Sequence, residues 1–264
     1  MTNLASTFSK AKSENRAALI GFITAGFPEK SKTVEVARAM VEGGVDIIEV
    51  GFPYSDPVMD GPVIQKAGEA ALANKTTSKD VLNIVSEISK LGVPTLVMTY
   101  WNPIERYGVA RFSKELASAG GVGLITPDLT IEESEDWLAS AGENDLAKVY
   151  VLAPSSSDER VKLVSKNCSG FIYAASLMGV TGTRTAISND AEVLVARIRK
   201  ESDIPVAVGL GVSNAEQAQT VAKFADGVIV GSAFIKAILE AKDFNSGLSA
   251  VKELATSLSA GVKR

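Results

Sequence analysis

The 264-residue chain contains no histidine, and its only cysteine is Cys168. Without imidazole there can be no Ser-His-Asp triad, no Cys-His pair, no His-ligated zinc and no histidine acid/base. Proton chemistry must come from carboxylates, lysines, tyrosines or backbone dipoles. A single thiol cannot close an internal disulfide, and in the run KNCSGF it reads as a small buried hydrophobe, with a nucleophile as the alternative. Positive charge is not in surplus: 27 Lys and Arg stand against 31 Asp and Glu, a net charge of -4. The basic footprint of a nucleic-acid binder is missing. No apolar run approaches the roughly 18 residues of a membrane span, and no basic segment followed by an apolar one opens the sequence. The expectation is a soluble, cytoplasmic protein with neither nucleic-acid nor membrane partners.

Hydrophobic residues make up 46 % of the chain and charged residues 22 %, an ordinary globular composition. No Pro/Gly/Ser-rich linker, composition shift or low-complexity tract divides it, so one domain over 1–264 is expected. After an opening helix around Leu4 to Glu14, short runs rich in Val and Ile recur: 17–23, 45–50, 94–100, 122–126, 147–153, 170–175, 204–209 and 226–231. Between them, segments such as KTVEVARAMVEGG and DVLNIVSEISKLG repeat their apolar residues at three and four, the helical spacing. Strands apolar on both faces and separated by helices belong in a parallel sheet covered by those helices. Eight such units match the (β/α)8 barrel in number and size, with extra short helices in the βα loops; a doubly wound open sheet is the structural alternative.

In a barrel of this kind the carboxyl ends of the strands and their following loops form the active face. Strand alternation in VDIIEV puts Val45, Ile47 and Glu49 on one side, and this otherwise aliphatic side is expected to face inward. An ionised carboxylate there costs several kcal/mol unless something compensates, so Glu49 calls for a reason. The only base in the candidate strands, Lys148, lies at the opposite end of its strand. The stretch from Gly51 to Asn74 reads as a βα connection far longer than the usual ~2–6 residues, stiffened by Pro53, Pro57 and Pro62 and carrying Asp56 and Asp60. An Asp in such a loop often makes an Asx-turn or a helix cap, and for Asp56 that reading stays open. Asp60 returns to the barrel mouth beside Glu49. Glycine-bearing segments GVTGTR (179–184), GLGVSN (209–214) and VGSAF (230–234) follow the last three strands. Backbone amides and a helix N-terminus in that position suit a phosphate group.

The run VDIIEVGFPYSDPVMDGPVIQKA, with GFITAGFP (21–28), MTYWNPI (98–104), GVTGTR, VGLGV and DGVIVGSAF in order, closely resembles the tryptophan synthase alpha subunit family over nearly the whole chain. The resemblance implies cleavage of indole-3-glycerol phosphate to indole and glyceraldehyde 3-phosphate, a lyase step of tryptophan biosynthesis. It further implies a pyridoxal-phosphate beta subunit as partner in an alpha2-beta2 complex, with no cofactor or metal held by this chain. Residue by residue, Glu49 matches the catalytic acid/base and Asp60 the carboxylate that meets the indole nitrogen. Phe22, Met98, Tyr100, Leu124 and Tyr173 match the substrate pocket, and Thr181 the loop residue that reaches the second carboxylate. Gly182, Gly211, Gly231 and Ser232 match the phosphate cradle, and Asp56 resembles a partner-facing position. Tyr54, Met59 and Thr130 depart from the common Phe, Ala and Pro, and AASLMGVTGTR departs from the common form of that loop.

The acid/base scheme that follows has Glu49, its pKa raised by burial, moving protons while Asp60 stays ionised. A Schiff-base aldolase would need a lysine in the pocket, and no candidate strand ends in one. The remaining alternatives are a phosphosugar isomerase of the same fold, a non-catalytic regulatory partner, and a stand-alone lyase that releases free indole.

Overall fold

The computed structural model describes residues 3–175, 189–209 and 211–264. Eight parallel strands close in sequence order, the eighth pairing with the first. They are β1 (Ala18–Thr24), β2 (Ile47–Gly51), β3 (Thr95–Met98), β4 (Gly123–Thr126), β5 (Ala147–Leu152), β6 (Ile172–Ala175), β7 (Val206–Gly209) and β8 (Gly227–Val230). Helix α1 (Leu4–Ser13) precedes the barrel and α2 (Thr33–Glu42) joins β1 to β2. Two helices each follow β2 and β3: α3 (Pro62–Ala73) with α4 (Ser78–Ser89), then α5 (Trp101–Tyr107) with α6 (Val109–Ser118). The series continues with α7 (Glu135–Glu143), α8 (Asp158–Asn167), α9 (Asn189–Glu201), α10 (Ala215–Ala222), α11 (Ser232–Leu239) and α12 (Phe244–Gly261). Each expected apolar run coincides with one strand to within two residues at either end, β1 and β2 running one residue past theirs, and the closed barrel replaces the open-sheet alternative. No helix among the described residues is long and apolar enough to cross a membrane.

Two apolar layers follow from strand alternation. Ala18, Ile20, Ile47, Leu96, Ile125, Val149, Ala207 and Ile229 fill the barrel interior, and Leu4, Phe8 and Ala11 of α1 join them from below, with Phe8 tilted against Phe171 at 5.8 Å. The alternate residues, among them Leu19, Ile48, Val50, Val97 and Val228, pack under the helices. Burial on both faces explains why the strands read as continuous apolar runs. The lower end is tied by Arg16, whose guanidinium donates to both oxygens of Asp46 at 2.6 and 2.9 Å, while Asp46 also accepts the Leu19 N–H.

Two expectations need correction. Val45 does not share the inward face of Glu49: it belongs to the helix-side layer, close to Gly21. The chain leaves α2 through Gly44 at φ 103°, and regular alternation starts only at Ile47, so strand parity cannot be extended back to Val45. The long connection after β2 is also shorter than expected. Pro62 takes the first position of α3, where its fixed φ suits a helix start and its missing N–H costs nothing, so only Phe52 to Gly61 is loop.

Close packing of α2 against α12 rests on Gly43, where a Cβ would meet Ala255 and come within 2.7 Å of the Lys252 carbonyl. Gly142 in α7 has nothing within 4 Å of such a Cβ. Gly43→Ala is therefore expected to lower the urea-unfolding free energy by ~1–3 kcal/mol, while Gly142→Ala leaves it unchanged or raises it by up to ~1 kcal/mol. Equal effects from the two substitutions in urea titrations would contradict this packing.

Candidate active site

Ile47 and Glu49 on β2 both face the barrel interior, Ile47 in its apolar layer and Glu49 one step nearer the carboxyl end. In register Glu49 sits between Phe22 of β1 and Leu96 of β3. Its side chain is fully buried, and among the described residues neither carboxyl oxygen has a hydrogen-bond partner. Water is the usual stabiliser of a carboxylate's charge, and burial withdraws it here, so the pKa rises from 4.5 to about 8. At neutral pH Glu49 therefore holds a proton that it can give away.

Asp60 reaches the same end of the barrel from the loop after β2. It lines one cleft with Phe22, Thr24, Gly51, Tyr54 and Ile64. The Phe22 ring covers Gly51, so closely that any Cβ on that glycine would collide with it. Partial burial raises the Asp60 carboxyl to about 6, two units below Glu49. The two acids thus occupy different protonation states between those values. The Asp60 backbone is pinned by its own N–H to the Pro57 carbonyl at 3.1 Å and by the Gln65 side-chain amide, which donates to its carbonyl at 2.8 Å. One residue earlier, the Met59 N–H donates to the Tyr100 hydroxyl oxygen at 2.9 Å, and Tyr100 stacks on Tyr54 with centroids 5.1 Å apart.

Of the other pocket candidates, Tyr173 on β6 is buried deeply enough to raise its phenol pKa, and the charges of both Glu49 and Asp60 push it further upward. It therefore lies within electrostatic reach of both acids. Met98 closes β3 opposite Gly51 and Ile125. Leu124 does not join this group: it packs in the helix-side layer, and its neighbour Ile125 faces the interior. A one-residue offset reverses the face of a strand side chain, which is why an alignment of short motifs missed it. Reading the sequence also missed Thr24, which lines the cleft buried, with its hydroxyl unpartnered. Parity with Phe22, two residues earlier, was the available signal.

Two of the three glycine segments, 209–214 and 230–234, fall at the ends of β7 and β8, and 179–184 lies outside the described residues. Gly231 precedes α11, which starts at Ser232 with no side-chain cap among the described residues; the Phe234 and Ile235 amides donate to the Gly231 carbonyl, which leaves those of Ser232 and Ala233 for a ligand. Gly211 takes φ 67°, a conformation that favours glycine. Thr181 and Gly182 lie outside the described residues. Asp56 is exposed and accepts the Ser55 hydroxyl at 2.6 Å; Val58 and Met59 beside it are exposed apolar side chains.

The buried carboxyl has a measurable cost to the fold. The folded chain holds the Glu49 proton up to about pH 8, while the unfolded chain releases it from about 4.5, so stability falls as pH rises across that window. Glu49→Gln is expected to be more stable than the parent by a margin that opens above about pH 4.5 and levels off near pH 8. A margin independent of pH in denaturant titrations would show that the carboxyl is not desolvated.

Comparison with known proteins gives a consistent result. The family model for the tryptophan synthase alpha chain matches residues 8–263. The tryptophan synthase alpha chain of Streptomyces coelicolor is 55% identical, over 97% of this chain and 95% of its own length. That of Thermobifida fusca is 51% identical over 100% and 98%. Among solved structures, Mycobacterium tuberculosis tryptophan synthase superposes with a TM-score of 0.92 at 48% identity, covering 100% of this chain and 99% of that one. The alpha subunit from Legionella pneumophila gives 0.90 at 35% identity, with 99% and 98% covered. A closed eight-stranded barrel with a buried carboxyl at its mouth, matched along almost its whole length, belongs to the tryptophan synthase alpha chain family.

Proposed function

We propose that the chain is the lyase subunit that cleaves indole-3-glycerol phosphate to indole and glyceraldehyde 3-phosphate, using Glu49 as the acid/base and Asp60 as the carboxylate for the indole nitrogen. The observation that carries this reading is the fully buried Glu49 carboxyl, unpartnered among the described residues. Cleavage starts when a proton from Glu49 is added to indole C3, leaving the ring nitrogen cationic. Ionised Asp60 accepts the ring N–H hydrogen bond and stabilises that charge. The resulting Glu49 carboxylate then takes the proton of the glycerol hydroxyl next to the scissile bond. That carbon becomes the aldehyde, the bonding pair returns to the ring, and Glu49 regains its proton. One residue serves both transfers because it is alternately acid and base.

Phe22, Thr24, Met98, Tyr100 and Tyr173 would bound the substrate. Gly182, Gly211, Gly231 and Ser232 would hold its phosphate, partly through the free amides at the start of α11, and so fix the position of the reacting carbons. Thr181 would approach Asp60 from the neighbouring loop. The partner is the pyridoxal-phosphate beta subunit in an alpha2-beta2 complex. Exposed Asp56, Val58 and Met59 at the tip of the second loop would face it. The cytoplasm is the compartment proposed, and a single domain over 1–264 the unit.

The two carboxyl groups set the pH dependence. Activity requires Asp60 without its proton, hence pH above about 6, and Glu49 with its proton, hence pH below about 8. A bell-shaped kcat/KM profile with limbs near those values is expected, and Asp60→Asn should abolish the acidic limb while lowering the maximum. Glu49→Gln should reduce single-turnover indole release by at least about a hundredfold. Near-parental release by that variant would overturn the assignment of Glu49.

A further inference from the structure

We propose that Gln65 is a positioning residue for this reaction, tethering the segment that carries Asp60 to the rigid start of α3 and, with Tyr100, clamping it from two sides. The proposal rests on the reading of Asp60 as the carboxylate that meets the indole nitrogen.

Asp60 lies in a loop whose neighbours Val58 and Met59 are exposed, so the loop's own packing does little to hold it in place. Its position is set by backbone contacts. Gln65 is the fourth residue of α3, and its N–H already closes the first helical hydrogen bond, to Gly61 at 2.9 Å. Its backbone is therefore fixed, and its half-buried side chain turns back to give the Asp60 carbonyl a hydrogen bond of 2.8 Å. On the other side, the Tyr100 hydroxyl oxygen receives the Met59 N–H at 2.9 Å, and the Tyr54 ring stacked on Tyr100 holds that phenol still. One anchor stands in α3 and the other at the N-cap of α5, so the residue between them cannot swing without breaking one. Positioning of this kind matters because a misplacement of about 1 Å in a catalytic group costs on the order of a hundredfold in rate.

A double-mutant cycle on the complex with the beta subunit tests this, with kcat and KM for indole-3-glycerol phosphate measured for the parent, Gln65→Met, Asp60→Asn and the double variant. Methionine keeps the length of the side chain and removes the donor. The expected result is a loss of about tenfold in kcat with KM changed by less than about threefold, and a loss below about twofold when Gln65→Met is introduced into Asp60→Asn. Should Gln65→Met fail to fold, Gln65→Glu takes its place, since it too removes the donor and sets an acceptor against the Asp60 carbonyl. An equal loss in both backgrounds would mean that Gln65 touches substrate or serves the fold generally, and would overturn the proposal. No loss, or a loss confined to KM, would overturn it as well. Failure of the Asp60 reading is separately visible, because Asp60→Asn alone would then leave kcat unchanged.

Discussion

A carboxyl group inside an apolar cylinder, with no cation and no hydrogen-bond donor to stabilise its charge, is the constraint on which the rest of the site depends. Among the described residues Glu49 meets neither, and burial places its pKa near 8. It is thereby a neutral acid at physiological pH, and becomes a strong base once it has given up its proton. A salt bridge would have stabilised the fold and removed that property. The division of labour with Asp60 needs no difference in chemistry between the two side chains; it comes from one being buried fully and the other in part.

The barrel tolerates this cost because its two ends do different work. Below the site, interior side chains from eight strands interlock and the apolar face of α1 closes the lower opening. The Arg16 and Asp46 pair fastens the start of β2 to the chain entering β1. The upper end keeps the polar groups Glu49, Thr24 and Thr126, without partners among the described residues. Buried polar groups without partners lower stability, and these three stand near the carboxyl ends of β2, β1 and β4.

Much of the fold was legible along the chain. Eight Val- and Ile-rich runs became eight strands, because strands covered on both faces must be apolar throughout. Parity put Glu49 inside, since Ile47 and Glu49 both fall within the regular part of β2. The same rule failed at Val45, which precedes that regularity; at Leu124 the family resemblance was off by one residue, which separates the interior from the helix layer. The residues that hold Asp60 were not legible. A glutamine four residues into a helix and a tyrosine forty residues away, at the N-cap of α5, carry no common signal until the barrel brings them together.

What the amino-acid order determined by itself was local and compositional: the absence of imidazole chemistry, the alternation of strand and helix, and the inward parity of one glutamate. These depend on periods of two and 3.6 residues and on which side chains exist at all, so they survive without any knowledge of distant contacts. Only the tertiary structure decided that Glu49 has no partner among the described residues, that Tyr173 feels both acids, and that the starts of α3 and α5 converge on Asp60. Solvation and electrostatic reach are properties of the surrounding volume, and that volume is filled by residues far apart in the chain.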